Sequence, residues 1–421
     1  MELLPAPKIF DHKHLIDDVI FPRPAAIGYI DSNRVPVRLH YQRGVDPLFA
    51  IEMLGYVETA WEKLFITGNF MAPHPDGTFG GNSLFDIYIV TNLSPGVGGM
   101  AGFSGYYEPT SRIDAISYVV FNHVIVDRLR RGVVAHELFH SAQLAYDFWE
   151  PLGVQESTAV WASYHVFPEE DMVWRYFTFY NDTPYFSLAN PSAYYQYGSG
   201  MAMKFLDEKF STEENNFIAE IWAGTPQDTF DNEPDFLDVI EKLLISKGTS
   251  FIETFRELGA WRLFVGSRND GQHFRDADKW NGWTRSMEPY IESESSGKQS
   301  IIMGEAIHGL QPFSHGFLSF KRPDSEEGRF SLTVNISGNS RYSLDVYVRN
   351  AEGLWQKRAS QLIELQAQQE MTSEMSLEFS KELGDTEIVG IISNLAYADY
   401  DVDALDLTKS EYSYEFRKLV K

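Results

Sequence analysis

His136, Glu137 and His140 form an H-E-x-x-H pentad inside the run VVAHELFHSAQLAY (133–146). On an α-helix, positions four apart lie about 40° apart around the axis and roughly 6 Å apart along it, so both imidazoles can reach one ion. Two neutral nitrogen donors at that spacing suit Zn²⁺. Glu137, next to the first histidine, is placed to take a proton from a water activated by the metal, which is the chemistry of hydrolysis. The flanking Val133, Val134, Ala135, Leu138, Phe139 and Ala142 make the helix apolar almost all round, as a buried helix is. Two histidines and a glutamate buried there need partners, and a metal ion satisfies all three together. The alternative is a helix whose two histidines are hydrogen-bonded core residues.

A zinc site seldom has only two protein ligands, and the segment DFWEPLGVQESTAVWASYHVF supplies candidates for a third. Trp149, Pro151 and Gly153 mark a loop, after which Val154 to Val166 reads as a second helix with Glu156 on its first turn. Glu156 is the favoured ligand. Glu150, before a proline, reads as a solvated loop acid, and His165 lies about 14 Å of helical rise beyond Glu156. A ligating histidine also needs a partner for its other ring nitrogen; Asp147 and Ser157 are near enough in sequence to be nominated, and neither can be assigned.

HELFH followed by ESTAVW resembles the gluzincin group of zinc metallopeptidases, in which two histidines of one helix and a glutamate from the next hold the metal. The stretches PHPDGTFGG with FDIYIV, SYVVFN ahead of HELFH, QYGSGMAMKFLDEKF, and FRELGAWRLFVGSR are similar to an uncharacterised family of secreted bacterial metalloproteases, over roughly residues 35–285. The resemblance implies Zn²⁺ on His136, His140 and Glu156, with Glu137 as general base and a protein or peptide substrate. It implies that SYVVFN is an edge strand that pairs with an extended peptide; its two-sided apolar character equally fits an interior strand. It also implies a Tyr or His from the helical half as oxyanion donor. Among Tyr194, Tyr195 and Tyr197, the Tyr-Gly pair at 197–198 matches best, so Tyr197 is the candidate. Three tyrosines beside a helix start are otherwise ordinary interface aromatics, and His123 reads as structural. A GxMEN-type amine-binding motif is absent upstream, which favours an endopeptidase over an aminopeptidase. Two other functions remain open: an inactive binding or adhesin protein with a zincin-like domain, and a non-proteolytic zinc amidase.

The elements that must position these residues read as an α+β zincin-like domain followed by an all-β sandwich. Residues 1–34 read as an N-terminal arm, and 35–285 as the catalytic domain, with an upper α/β half (35–153) and a helical half (154–285). In the upper half, RVPVRLHY, LFDIYIV and ISYVVFNHVIV alternate or run apolar like strands, and Pro47 to Phe65 has helical spacing. A mixed sheet leading into the metal helix follows. The glycine-rich SPGVGGMAGFSGYY reads as a loop, either a rim over the cleft or a flexible insertion. Residues 286–300 read as a linker. From 301 to 421, FLSF, RFSLTVNIS, YSLDVYVRN, TSEMSLEFS, EIVGIISN and YSYEFRKLV alternate between turn signals, as sandwich strands do.

Composition bounds the partners. A chain of 421 residues with 43% hydrophobic residues has a substantial core, and a net charge of −25 repels nucleic acid and anionic membrane surfaces. No apolar run is long enough to span a membrane. The absence of cysteine excludes disulfides and thiolate ligands. The stretch MELLPAPKIFDHKHLIDD lacks a basic n-region and an apolar h-region. The resemblance nevertheless points to a secreted or periplasmic setting, with a cytoplasmic one left open.

Overall fold

The computed structural model describes residues 22–94, 96–169, 171–226, 234–280, 301–305, 309–321, 328–338, 340–364, 369–379, 386–396 and 411–419. Most of the expected arm and the whole expected linker 286–300 lie outside these residues. Among the described residues the architecture is mixed α and β, with one mixed sheet and two antiparallel sheets. The chain divides into two compact units, residues 1–176 with 196–243, and residues 177–195 with 244–421.

The first unit opens with β1 (Gly28–Asp31) and β2 (Val37–Tyr41), then α1 (Pro47–Trp61). Asp46 caps α1 by accepting from the Leu48 N–H, and Pro47 sits where a missing N–H costs nothing. The helical spacing read over 47–65 is present, but after Trp61 it continues as a wider turn over 62–66. β3 (Phe85–Val90), β4 (Gly99–Tyr106) and β5 (Ala115–Asn122) complete a sheet of order β1-β2-β3-β5-β4. β2, β3 and β5 run parallel, while β1 and β4 pair antiparallel at the two edges. Every residue of β3 is buried, as expected of a strand covered on both faces.

Two expectations change here. SYVVFN belongs to β5, which lies between β3 and β4, so it is an interior strand. The edge strand beside β5 is β4, formed by the second half of the glycine-rich run that reads as a loop. Glycine is a poor strand former, but Gly99 and Gly102 are required by close packing. A Cβ on Gly99 would stand 2.7 Å from Glu137 Cγ, and one on Gly102 would stand 2.3 Å from Tyr118 Cζ.

Helices α2 (Arg130–Tyr146), α3 (Leu152–Val166), α4 (Asp171–Asp182), α5 (Ala193–Gly198), α6 (Gly200–Phe210), α7 (Phe217–Gly224), α8 (Phe236–Ser246) and α9 (Phe251–Leu263) follow. Among the described residues no helix is long and apolar enough to cross a membrane. In α2, residues 132–139 and 141–146 are all buried, so its near-uniform apolar surface is accounted for.

Among the described residues the second unit holds α9 and eight strands: β6 (Ile301–Glu305), β7 (Ser314–Lys321), β8 (Gly328–Gly338), β9 (Arg341–Arg349), β10 (Trp355–Glu364), β11 (Gln369–Phe379), β12 (Glu387–Asn394) and β13 (Tyr412–Leu419). They form two four-stranded antiparallel sheets, β10-β9-β12-β7 and β11-β8-β13-β6. Leu332, Val334 and Ile336 of β8 share one core with Leu344 and Val346 of β9 and with Ile388 and Ile392 of β12, so apolar residues of both sheets meet. Ala260 and Leu263 of α9 pack against Phe317, Val389 and Ile391.

Candidate metal centre

The pentad and its proposed partner converge. His136 Nε2 lies 3.1 Å from His140 Nε2, and Glu156 Oε2 lies 3.1 Å from His136 Nε2 and 3.7 Å from His140 Nε2. His136, His140 and Glu156 are the group of ligand-type side chains, among the described residues, whose donor atoms all fall within 4.8 Å of one another. Donors around a tetrahedral Zn²⁺ at about 2.0–2.1 Å would be about 3.3–3.4 Å apart, which matches these separations. Two imidazole nitrogens and a carboxylate oxygen are also a donor set zinc accepts.

Helix packing brings the donors together. Ser163 Oγ donates to the Gly132 carbonyl at 2.9 Å, drawing α3 against α2 beside the pentad. Gly200, the first residue of α6, lies so close to α3 that a Cβ there would stand 2.8 Å from the Ser157 carbonyl. That contact holds α6, and the end of α5 ahead of it, over the site. Glu156 is 0% exposed on the fifth residue of α3 rather than on its first turn. Glu150 is buried as well, at 3% exposure, which corrects its reading as a solvated acid; its carbonyl accepts from Gln155 Nε2, and it is not one of the converging three. His165 stacks on Trp161 with ring centroids 4.7 Å apart, away from the cluster.

The charges are arranged unequally. Burial pushes the Glu156 carboxyl up, but the two histidines outweigh it and hold it at about 2. Burial pulls His140 down, and Glu156 outweighs that, leaving it at about 9. For Glu137 burial wins over the two histidines and raises the carboxyl. A carboxylate with raised pKa is suited to general base work.

Glu137 accepts a hydrogen bond from the Ala101 backbone N–H of β4. It lines a small cleft with Gly98, Gly99, Val133, His136, Val160, Ser163, Val173, Tyr176 and Tyr197. Tyr197 is 6% exposed with its ring 6.0 Å from that of His136, and it stacks on Tyr176 at 5.0 Å. Burial, and then the nearby Glu156, raises its hydroxyl well above the usual tyrosine range, so it stays protonated. Tyr194 is exposed and stacks on Phe179, and Tyr195 donates its hydroxyl to the Phe186 carbonyl. His123 sits in the turn after β5 and is not part of the cluster.

Sequence reasoning missed two residues. Tyr176 falls in a helical stretch with no motif to mark it. Gln143 Oε1 lies 2.6 Å from His140 Nδ1, the place for which Asp147 and Ser157 had been nominated. Ser157 instead donates to the Val154 carbonyl, and Asp147 accepts from the Trp149 N–H.

No family model matches the chain, and no curated protein matches it. Among solved structures, the Yersinia pseudotuberculosis-derived mitogen is similar over 30% of this chain and 87% of that chain, at 10% identity and a TM-score of 0.20. Murine APRIL is similar over 22% and 66%, at 17% identity and 0.15. PirA is similar over 30% and 99%, at 14% identity and 0.18. Likenesses at these scores carry no argument about the site.

Proposed function

We propose that the protein is a zinc-dependent metallopeptidase, an endopeptidase whose zincin-like first unit hydrolyses peptide bonds with Glu137 as general base. The observation that carries this reading is the convergence of His136, His140 and Glu156 beside Glu137 in one cleft. When bound at these three residues, zinc supplies Lewis-acid polarisation of a carbonyl and a water of lowered pKa. Glu137 accepts the proton of the attacking water and returns it to the leaving amine. The Ala101 N–H holds that carboxylate in place while it does so. Tyr197, protonated and beside His136, is positioned to donate to the developing oxyanion. Strand β4 has β5 as its neighbour in the sheet, and its first residue, Gly99, forms the other wall of the cleft with the preceding Gly98. An extended peptide adding to its outer edge by main-chain hydrogen bonds would lie across Glu137, which supports internal cleavage. An extracellular or periplasmic protein substrate belongs to the same proposal.

The test is cleavage of an unbiased peptide library by zinc-loaded parent and Glu137→Gln at equal zinc content. The expected result is cleavage by the parent and a loss on the order of 10²–10⁴-fold in the variant. A zinc-loaded parent that leaves every peptide intact overturns the peptidase assignment.

A further inference from the structure

Gln143 is 1% exposed and has partners at both ends of its amide. Its Oε1 faces His140 Nδ1 at 2.6 Å, and its Nε2 donates to the Gln155 carbonyl at 2.8 Å and to Thr158 Oγ1 at 2.6 Å. A backbone carbonyl can only accept, so the end facing Gln155 must be the NH₂. The other end is then an oxygen that can only accept, and His140 Nδ1 must carry a hydrogen. His140 Nε2, on the side of His136 and Glu156, is therefore the ring position left for a metal. Thr158 is fixed in turn, because its hydroxyl donates to the Val154 carbonyl at 2.9 Å and so receives from Gln143. Gln155 and Thr158 flank Glu156 in α3, so one amide ties the ring of an α2 ligand to the turn of α3 that carries the third donor.

We infer that Gln143 is the positioning residue of the metal centre: it sets the orientation of His140 and holds the two ligand-bearing helices in register for one ion. This rests on the metal reading above. Groups that orient a ligating histidine typically contribute 10–100-fold in metal affinity (roughly, from other metal sites). A neutral amide does so without adding negative charge beside Glu156 and Glu137.

The test compares parent, Gln143→Met, Thr158→Val and the double variant, reading Co²⁺ and Zn²⁺ affinity by chelator competition and the visible spectrum of the Co²⁺-loaded protein. Gln143→Met keeps the side-chain length and removes both hydrogen-bonding ends. It is expected to weaken binding roughly 10–100-fold and to alter the cobalt spectrum at saturation, which a loss of packing alone would not do. Thr158→Val is expected to weaken binding less, and to have no further effect once Gln143 is methionine. Unchanged affinity and spectrum in Gln143→Met overturn the inference while leaving the metal site standing. Should that variant not fold, unchanged affinity and spectrum in Thr158→Val overturn it equally. A parent that binds neither ion removes the metal reading and the inference together.

Discussion

Two of the places where the first unit sets a histidine against a buried carboxylate are closed in different ways. In one, Asp86, 0% exposed, accepts from His40 Nε2 at 2.8 Å and pairs with the Arg23 guanidinium, which also reaches Asp76 at 2.7 Å. Arg23 lies over the Tyr118 ring at 5.0 Å, and His40 stacks on Tyr88 at 4.6 Å. Burial pushes Asp76 up to about 6, against the pull of Arg23. In the other, Glu156 and Glu137 face two imidazoles, and among the described residues neither carboxylate pairs with lysine or arginine. A buried carboxylate needs a cation. The Asp86 cluster has a permanent one in Arg23, and the Glu156 cluster has only the two imidazoles of His136 and His140. A site that carries its own arginine is a structural ion pair, whereas one that leaves the cation to be supplied is suited to holding a metal.

Removing the carboxylate from each cluster should therefore have different consequences. Glu156→Ala is expected to lower zinc affinity by more than the roughly 100-fold that a supporting residue contributes. Measured zinc content unaffected by this substitution would remove Glu156 from the site. Asp86→Ala is expected to cost roughly 3 kcal/mol of folding stability, the scale of breaking a buried ion pair, and to leave zinc content unchanged. Chemical denaturation and elemental analysis of the same samples separate the two outcomes, and loss of zinc in Asp86→Ala would break the contrast.

Two smaller effects sharpen it. Gly99→Ala forces a Cβ against Glu137 Cγ, so peptide cleavage should fall roughly 10–100-fold at full zinc occupancy, because a displacement of about 1 Å at a reacting group has that effect. Unchanged cleavage would mean that β4 does not position the base. The pH dependence follows from His140 and Glu156. His140, raised from 6.5 to about 9, contributes stability to the metal-free protein that is complete below about pH 6.5 and lost as pH rises through 9. Glu156, lowered from 4.5 to about 2, contributes stability present above about pH 4.5 and lost as pH falls through 2. Metal must displace the His140 proton, so zinc affinity should rise about tenfold per pH unit between 7 and 9. A flat profile in a metal-binding titration would show that His140 is not protonated in the metal-free protein.

The convergence of His136, His140 and Glu156 was legible because each residue carried its own signal. A four-residue histidine spacing in an apolar helix, followed by an acid early in the next helix, specifies a geometry that depends little on the rest of the fold. Gln143 carried no such signal, since a glutamine three residues after a histidine is ordinary on any helix, and its role comes from where α3 places Thr158. β4 was hidden for a related reason. Its glycines lower strand propensity, and what they are for, room for Glu137 and Tyr118, is visible only once the neighbours are in place. β10 was missed because it is a sheet edge with Lys357 and Arg358 exposed, so it lacks the apolar alternation of β9 and β12. Glu150 was misjudged because a proline beside it suggests a surface loop, and burial there depends on packing from distant elements.

The zinc bound per chain in protein purified without chelators, measured by elemental analysis alongside Glu156→Ala, tests the metal centre most directly. About one zinc per chain is expected in the parent and close to none in the variant. A parent that remains metal-free after incubation with zinc would contradict it.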